Sequence, residues 1–245
     1  AATRAIAERE GITNVIICPS NPRVRALNQR WSFNIAHNDL VVTQKLLDLC
    51  QGRGYRTVLV FAGNWPLAQS LARQFESLGK EKGLRVIVSQ ETHSPADMDM
   101  TPQLIKMMPL IKTEGVDALY AATGGPPAPI ICNNARTLGV DVPILGTHAF
   151  GFRFILELGG EAMDGVEFPT GKPVVPLQLD KNDPARAVIL DFNDRMKARY
   201  GVPADQIAGH GYDIVWLLAD ALKRCKGGVT RERLRDALEN TSEFT

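Results

Sequence analysis

Five places in the chain set small, polar or aromatic residues directly after an apolar run: Pro19-Ser20-Asn21, Ala62-Gly63-Asn64-Trp65, Glu91-Thr92-His93, Thr123-Gly124-Gly125 and Gly146-Thr147-His148. Histidine titrates near neutrality, so His93 and His148 are the candidate general bases. Each stands alone in its loop. A solvent-facing or hydrogen-bonding role accounts for His93, whereas for His148 a ligand contact and a structural role are both open. His37, in a crossing segment, and His210, on a helix beside Tyr212, read as structural. Trp65 lies between a strand end and a proline, so its ring is either a stacking platform for an apolar or aromatic ligand or a cover for the edge of the fold. Asp39 follows Asn38 and opens a helix. Its carboxylate caps orphan amides, or fixes an ammonium group in a crevice, or does both. Trp216 shares an apolar helical face with Ile214, Leu217 and Leu218 and reads as core.

None of these stretches is a cofactor fingerprint. "FAGNWPLA" lacks the G-x-G-x-x-G spacing, "AATGGPPAP" lacks the lysine and hydroxyl residue of a phosphate loop, and no acidic residue is placed to hold a ribose. No G-x-S-x-G elbow offers a nucleophile. The four cysteines, Cys18, Cys50, Cys132 and Cys225, are far apart with no C-x-x-C and no histidine pair nearby, so neither metal nor cofactor is expected. Cys18, Cys50 and Cys132 sit in apolar stretches and read as small core residues, while Cys225 closes a helix.

The elements that must position these residues alternate. Helix 2–10 precedes the apolar run 13–19, and 20–39 has no clean period and reads as a crossing segment. Then come helix 40–51, strand 56–62, helix 66–82, strand 84–90, helix 99–114, strand 116–122, helix 128–138, strand 142–147, helix 151–158 and strand 164–170. Strands alternating with helices of this length give right-handed βαβ units and a parallel sheet covered on both faces. A Pro-rich connection, 171–184, leads to helices 184–200, 206–224 and 230–240 with no strands of their own. The fold class is therefore α/β with doubly wound parallel sheets, one lobe complete and one partial. The expected division is 1–36, 37–172 and 173–245, the first and last parts belonging together. In such sheets ligands bind outside the carboxyl ends of the strands. The stretch Thr123-Gly124-Gly125-Pro126-Pro127 is then one wall of a crevice, with glycines leaving space and amides offering donors.

Composition narrows the function class. In 245 residues, 28 basic and 27 acidic side chains leave a net charge of +1, without the concentrated positive surface that nucleic acid or anionic membrane requires. No apolar run approaches the roughly 18 residues that span a bilayer, so no membrane insertion is expected. The chain starts inside a helix without a signal peptide and stops just after another, which reads as a piece of a longer polypeptide.

The order of elements, with the phrases "TRAIAEREGITNVIICPSNP", "FNIAHND", "RTVLVFAGN", "DMDMTPQLIKM", "VDALYAATGG", "NNARTLGVDVPILG", "GGEAMDGVEF" and "DFNDRMKARYGVPADQIAGHGYDIVWLLADAL", resembles the type I periplasmic binding proteins, specifically the branched-chain amino acid receptors of ABC importers. The resemblance implies two hinged lobes that hold a small ligand without changing it, an importer permease as partner, and a periplasmic or extracytoplasmic location. It places Ser20 and Asn21 where the family binds a ligand carboxylate, and Asp39 at its first acidic position. Thr123, Gly124 and His148 fall at further ligand contacts of the family, and Asn64 and Trp65, at the neighbouring strand end, are candidate contacts beside them. The aromatic residue usual after the strand aligns with Leu67, two places beyond Trp65. The family's tyrosine loop becomes Thr123-Gly124-Gly125, and its second ammonium-binding acid becomes His148. A small carboxylate-bearing ligand is expected, an amino acid or an aromatic or apolar acid, the lost carboxylate tipping the balance toward the latter. Two alternatives stay open: a ligand-sensing domain of a regulator with this fold, and an α/β enzyme using His148, Asp39 and Asn64, against which stands the lack of a nucleophile and base pair.

Overall fold

The structure, a computed structural model, describes residues 2–17, 29–242 and 244. In chain order its elements are α1 (Ala2–Glu10), β1 (Asn14–Ile16), β2 (Ser32–Asn34), α2 (Asp39–Arg53), β3 (Thr57–Gly63), α3 (Pro66–Glu81), β4 (Arg85–His93), α4 (Thr101–Thr113), β5 (Ala118–Ala122), α5 (Pro127–Thr137) and β6 (Ile144–Gly146). Helices α6 (Arg153–Gly159), α7 (Arg186–Tyr200), α8 (Gln206–Arg224) and α9 (Arg231–Glu239) complete it. The residues form two compact units, Asp39–Gly171 and a second made of Ala1–Asn38 with Lys172–Thr245.

Within Asp39–Gly171 the strands pair in parallel in the order β4-β3-β5-β6. Because side chains alternate along a strand, β3 and β5 feed two cores. Val58, Val60, Ala62, Ala118, Tyr120 and Ala122 meet Leu46, Leu47 and Cys50 of α2 and Ala72 and Phe75 of α3. Leu59, Phe61, Leu119 and Ala121 meet Leu104, Met107 and Ile111 of α4 and Ala128, Ile131 and Cys132 of α5. Strands buried on both faces need unbroken apolar runs, and β3 and β5 are buried throughout. Cys50 and Cys132 lie free in these two cores, where burial pushes both thiols up to about 12.

The other unit holds a two-stranded parallel sheet, β1 beside β2, with α1 against both. The Glu8 carboxylate accepts the N–H groups of Arg30 and Trp31 ahead of β2. Buried Asn193 of α7 accepts the Ala204 N–H at 3.0 Å and donates to Pro173 O at 3.2 Å, tying α7 to its two neighbouring turns.

Four expectations need correction. The segment 164–170 is not a strand: Glu167 makes a single bridge to Leu145, and Pro169, having no N–H, cannot extend the ladder. The segment 20–39 hides β2, whose three residues are too few for a period-two signal. Trp216 is 50 % exposed rather than core. Of the strand forecast for 13–19, the described residues 13–17 form β1 over Asn14–Ile16, and Cys18 and Pro19 lie outside the described residues.

Candidate functional site

Short turns join α2 to β3 and β3 to α3, so α2 runs back along the sheet and its first residue, Asp39, lies at the end where the strands finish. The charge of Asp39 acts on the Tyr120 hydroxyl of β5, which burial already pushes up. Asp39 is 1 % exposed, and its Oδ1 is buried without a hydrogen-bond partner among the described residues. Asp39 Oδ1 thus caps no amide. A carboxyl desolvated without donors favours its neutral form, and burial raises Asp39 from 3.8 to about 6. The helix is steadied by Thr43 instead, whose hydroxyl lies 2.8 Å from Asp39 O and 3.1 Å from Gln74 Oε1 of α3.

At the tip of β5, Thr123 N–H turns back to Ala121 O at 2.8 Å, and Thr123 O accepts the Thr147 hydroxyl at 2.7 Å. The Thr123 hydroxyl itself is buried and unpartnered. Three of the next six residues, Pro126, Pro127 and Pro129, carry no N–H, and Ala128 N–H is taken by Gly125 O at 3.1 Å. The start of α5 is thus stripped of donors, except that Gly124 and Gly125 N–H donate to no group among the described residues. Gly125 needs its positive φ of 71° to make the turn, and a Cβ on Gly124 would stand 3.1 Å from that of Ala149.

The tips of β3 and β4 form an aromatic corner. A Cβ on Gly63 would overlap the Trp65 ring, so only glycine lets Trp65 fold back over the strand end. The Trp65 ring meets His93 edge-on at 5.2 Å, and His93 meets Phe61 at 5.0 Å. Trp65 thus covers the edge of the sheet while keeping part of its face exposed. Asn64 donates its N–H to His93 O at 2.8 Å and leaves its side chain exposed.

His93 departs most from its sequence reading. It is the last residue of β4, 1 % exposed, and not a loop side chain. Its Nδ1 lies 3.3 Å from Ser94 O, and its Nε2 is buried without a partner. Burial holds the imidazole below its ordinary value, with Ser94 O and Asp97 opposing weakly. A signal existed in the register: Gly63 pairs with His93, and the β3–β4 irregularity between Val60 and Ala62 carries β4 further than a regular ladder would. His148, also buried, begins a short 3-10 turn behind Thr147, whose hydroxyl accepts the Ala149 N–H at 3.3 Å. Asp39, Asn64, Trp65, Thr123, Gly124 and His148 accordingly all belong to the strand-tip end of one sheet, joined there by His93. Ser20 and Asn21 lie outside the described residues.

Among the described residues the site offers hydrogen-bonding and charge groups without a nucleophile paired to a base, which suits holding a small polar molecule. No group of three metal-ligating side chains occurs among the described residues, and no helix among them is long and apolar enough to cross a membrane. A profile of the periplasmic binding proteins matches residues 1–245.

The chain belongs to the periplasmic binding protein family.

Its type I α/β fold recurs in a leucine binding protein of Thermotoga maritima, 25 % identical, with a TM-score of 0.82 over 99 % of this chain and 66 % of that one. It recurs also in a branched-chain amino acid ABC transporter protein of Rhodospirillum rubrum, 25 % identical, with a TM-score of 0.71 over 98 % and 66 %. An extracellular ligand-binding receptor of Rhodopseudomonas palustris, 18 % identical, shares the fold with a TM-score of 0.82 over 96 % and 66 %. The chain thus spans about two thirds of the length of these neighbours. No curated protein matches it. The periplasmic binding proteins are solute-binding proteins rather than enzymes, so the enzyme alternative falls away.

Proposed function

We propose that the chain is the greater part of an extracytoplasmic solute receptor serving an ABC importer permease, and that it binds a small amino acid without chemical change. Residues 37–172 form the ligand-binding lobe of this reading, and 1–36 with 173–245 belong to the other. What carries it is the Asp39 carboxyl, 1 % exposed, with its Oδ1 buried and without a hydrogen-bond partner among the described residues. A buried carboxyl without donors is costly. A ligand ammonium beside it removes that cost, and an amine-free acid would add a second negative charge. Of the two ligand classes expected from the sequence, the amine-bearing one is favoured. The unused N–H groups of Gly124 and Gly125 and the Thr123 hydroxyl supply donors for the ligand's oxygens. Trp65 closes the apolar side, in keeping with the leucine binding protein among the neighbours.

A thermal-shift series tests the reading. Leucine, valine and phenylalanine should raise the melting temperature in proportion to the logarithm of concentration. 4-Methylpentanoate and phenylacetate should do so far less. Stabilisation by the amine-free acids equal to that by the amino acids would overturn the assignment of Asp39.

A further inference from the structure

The unit made of Ala1–Asn38 and Lys172–Thr245 contains a second set of unsatisfied polar atoms, on the first turns of α8. Asp205 caps this helix, accepting the Ala208 N–H at 2.8 Å, so the cap itself is occupied. Gln206 comes next. It is 1 % exposed, and both its Nε2 and its Oε1 lack hydrogen-bond partners among the described residues. One turn on, at the spacing that stacks side chains on one helical face, His210 is 8 % exposed with an unpartnered Nε2. The His37 ring lies 5.2 Å from that of His210. Gly209, between the two, packs so closely on Pro173 that a Cβ there would stand 2.8 Å from the proline ring, which holds this turn in place.

Buried polar groups are almost always hydrogen-bonded, and an amide with both ends idle is among the rarer exceptions. The arrangement is not a metal site, since two imidazoles and an amide are too few ligands of the right kind. It is also uncharged at neutral pH. Burial lowers His210, Asp205 opposing, and lowers His37, with His210 adding to the effect. A fixed anion or cation therefore finds no counter-charge among these three side chains.

We propose that the Gln206–His210 face of α8 binds a neutral polar group with a paired donor and acceptor, of which a primary carboxamide is the simplest. The match is one of donors and acceptors. Gln206 Nε2 donates to the carbonyl oxygen of the bound amide, Gln206 Oε1 accepts one of its N–H groups, and His210 Nε2 meets what remains. A carboxylate fits worse, because it offers no proton to Gln206 Oε1 and sets oxygen against oxygen. This site lies in the unit that does not contain Asp39 and does not depend on the amino-acid reading above.

The test uses propionamide and sodium propionate as probes of the whole chain, followed by thermal shift and by the side-chain amide resonances in an NMR titration. Propionamide should stabilise the wild type and shift the Gln206 amide signals, and propionate should do neither. Gln206→Leu should bind propionamide at least about tenfold more weakly while melting no lower than the wild type, because the exchange removes two idle polar atoms. Gln206→Met, closer in shape, gives the same readout should the leucine variant fail to fold. Asp39→Asn should leave the propionamide response intact, which separates failure here from failure of the amino-acid site. Propionamide binding unchanged in both Gln206 variants, or propionate binding equally well, would overturn the proposal. So would a lower melting point for both variants with no wild-type response, the signature of an internal water only.

Discussion

In Asp39–Gly171 three of four strands, β3, β5 and β6, are buried along their whole length, whereas in the other unit two three-residue strands stand beside helices that leave Val215 64 % and Trp216 50 % exposed. The first unit fills both faces of its central strands and leaves buried unpartnered polar atoms at the strand tips, at Asp39, His93 and Thr123 among others. The second shows apolar surface on α8 and buries idle polar atoms on the same helix. A finished core makes a strand-tip cluster of costly groups informative, because the surrounding fold has had every opportunity to pair them. Where the core is small, exposure of an apolar side chain says less.

Mutations break that comparison at graded cost. Phe61 is fully buried between β3 and the α4–α5 layer, and Phe61→Ala should destabilise by about 3–5 kcal/mol, read as a fall in the urea midpoint. Gly146→Ala should cost roughly 1–3 kcal/mol, since the new Cβ would run into the Phe150 ring. Equal tolerance of both changes would mean that the four-stranded unit is less tightly packed than it looks.

Asp39→Asn sharpens the comparison from the other direction. Removing a desolvated charge should stabilise the ligand-free protein at pH 7 by about 1–2 kcal/mol. The sign follows from proton binding. Between the ordinary value of 3.8 and the folded value of about 6 the folded state holds the extra proton. Wild-type stability should therefore fall as pH rises through that window and level off above it, and the Asn variant should lack this slope. Denaturant titrations at successive pH values read it directly. At the small end, Trp216→Ser should shift stability by no more than about 0.5 kcal/mol, because half of the ring is already in water.

Much of this was legible in the sequence. The runs "RTVLVFA" and "VDALYAA" announce strands buried on both faces, and the intervening helices force a parallel order, so β3 to β6 and the tips of β3, β5 and β6 followed from periodicity alone. Thr123 and Gly124 were singled out because strand ends are where such sheets expose backbone donors, and Asp39 because it opens the helix after the crossing segment. His93 was misplaced because "SQETH" shows no apolar alternation, and only pairing beyond an irregularity in the ladder carries β4 to that residue. Gln206 gave no signal at all. A glutamine in the first turn of a helix ordinarily faces water, and its burial is a tertiary fact.

Calorimetric titration of leucine into the wild type and into Asp39→Asn at pH 7 tests the amino-acid assignment most directly. Loss of the ionic partner of a buried ammonium should weaken binding at least about a hundredfold, and wild-type affinity should fall as pH drops below about 6. Equal affinity of the two proteins for leucine, with no change across that pH range, would contradict the account.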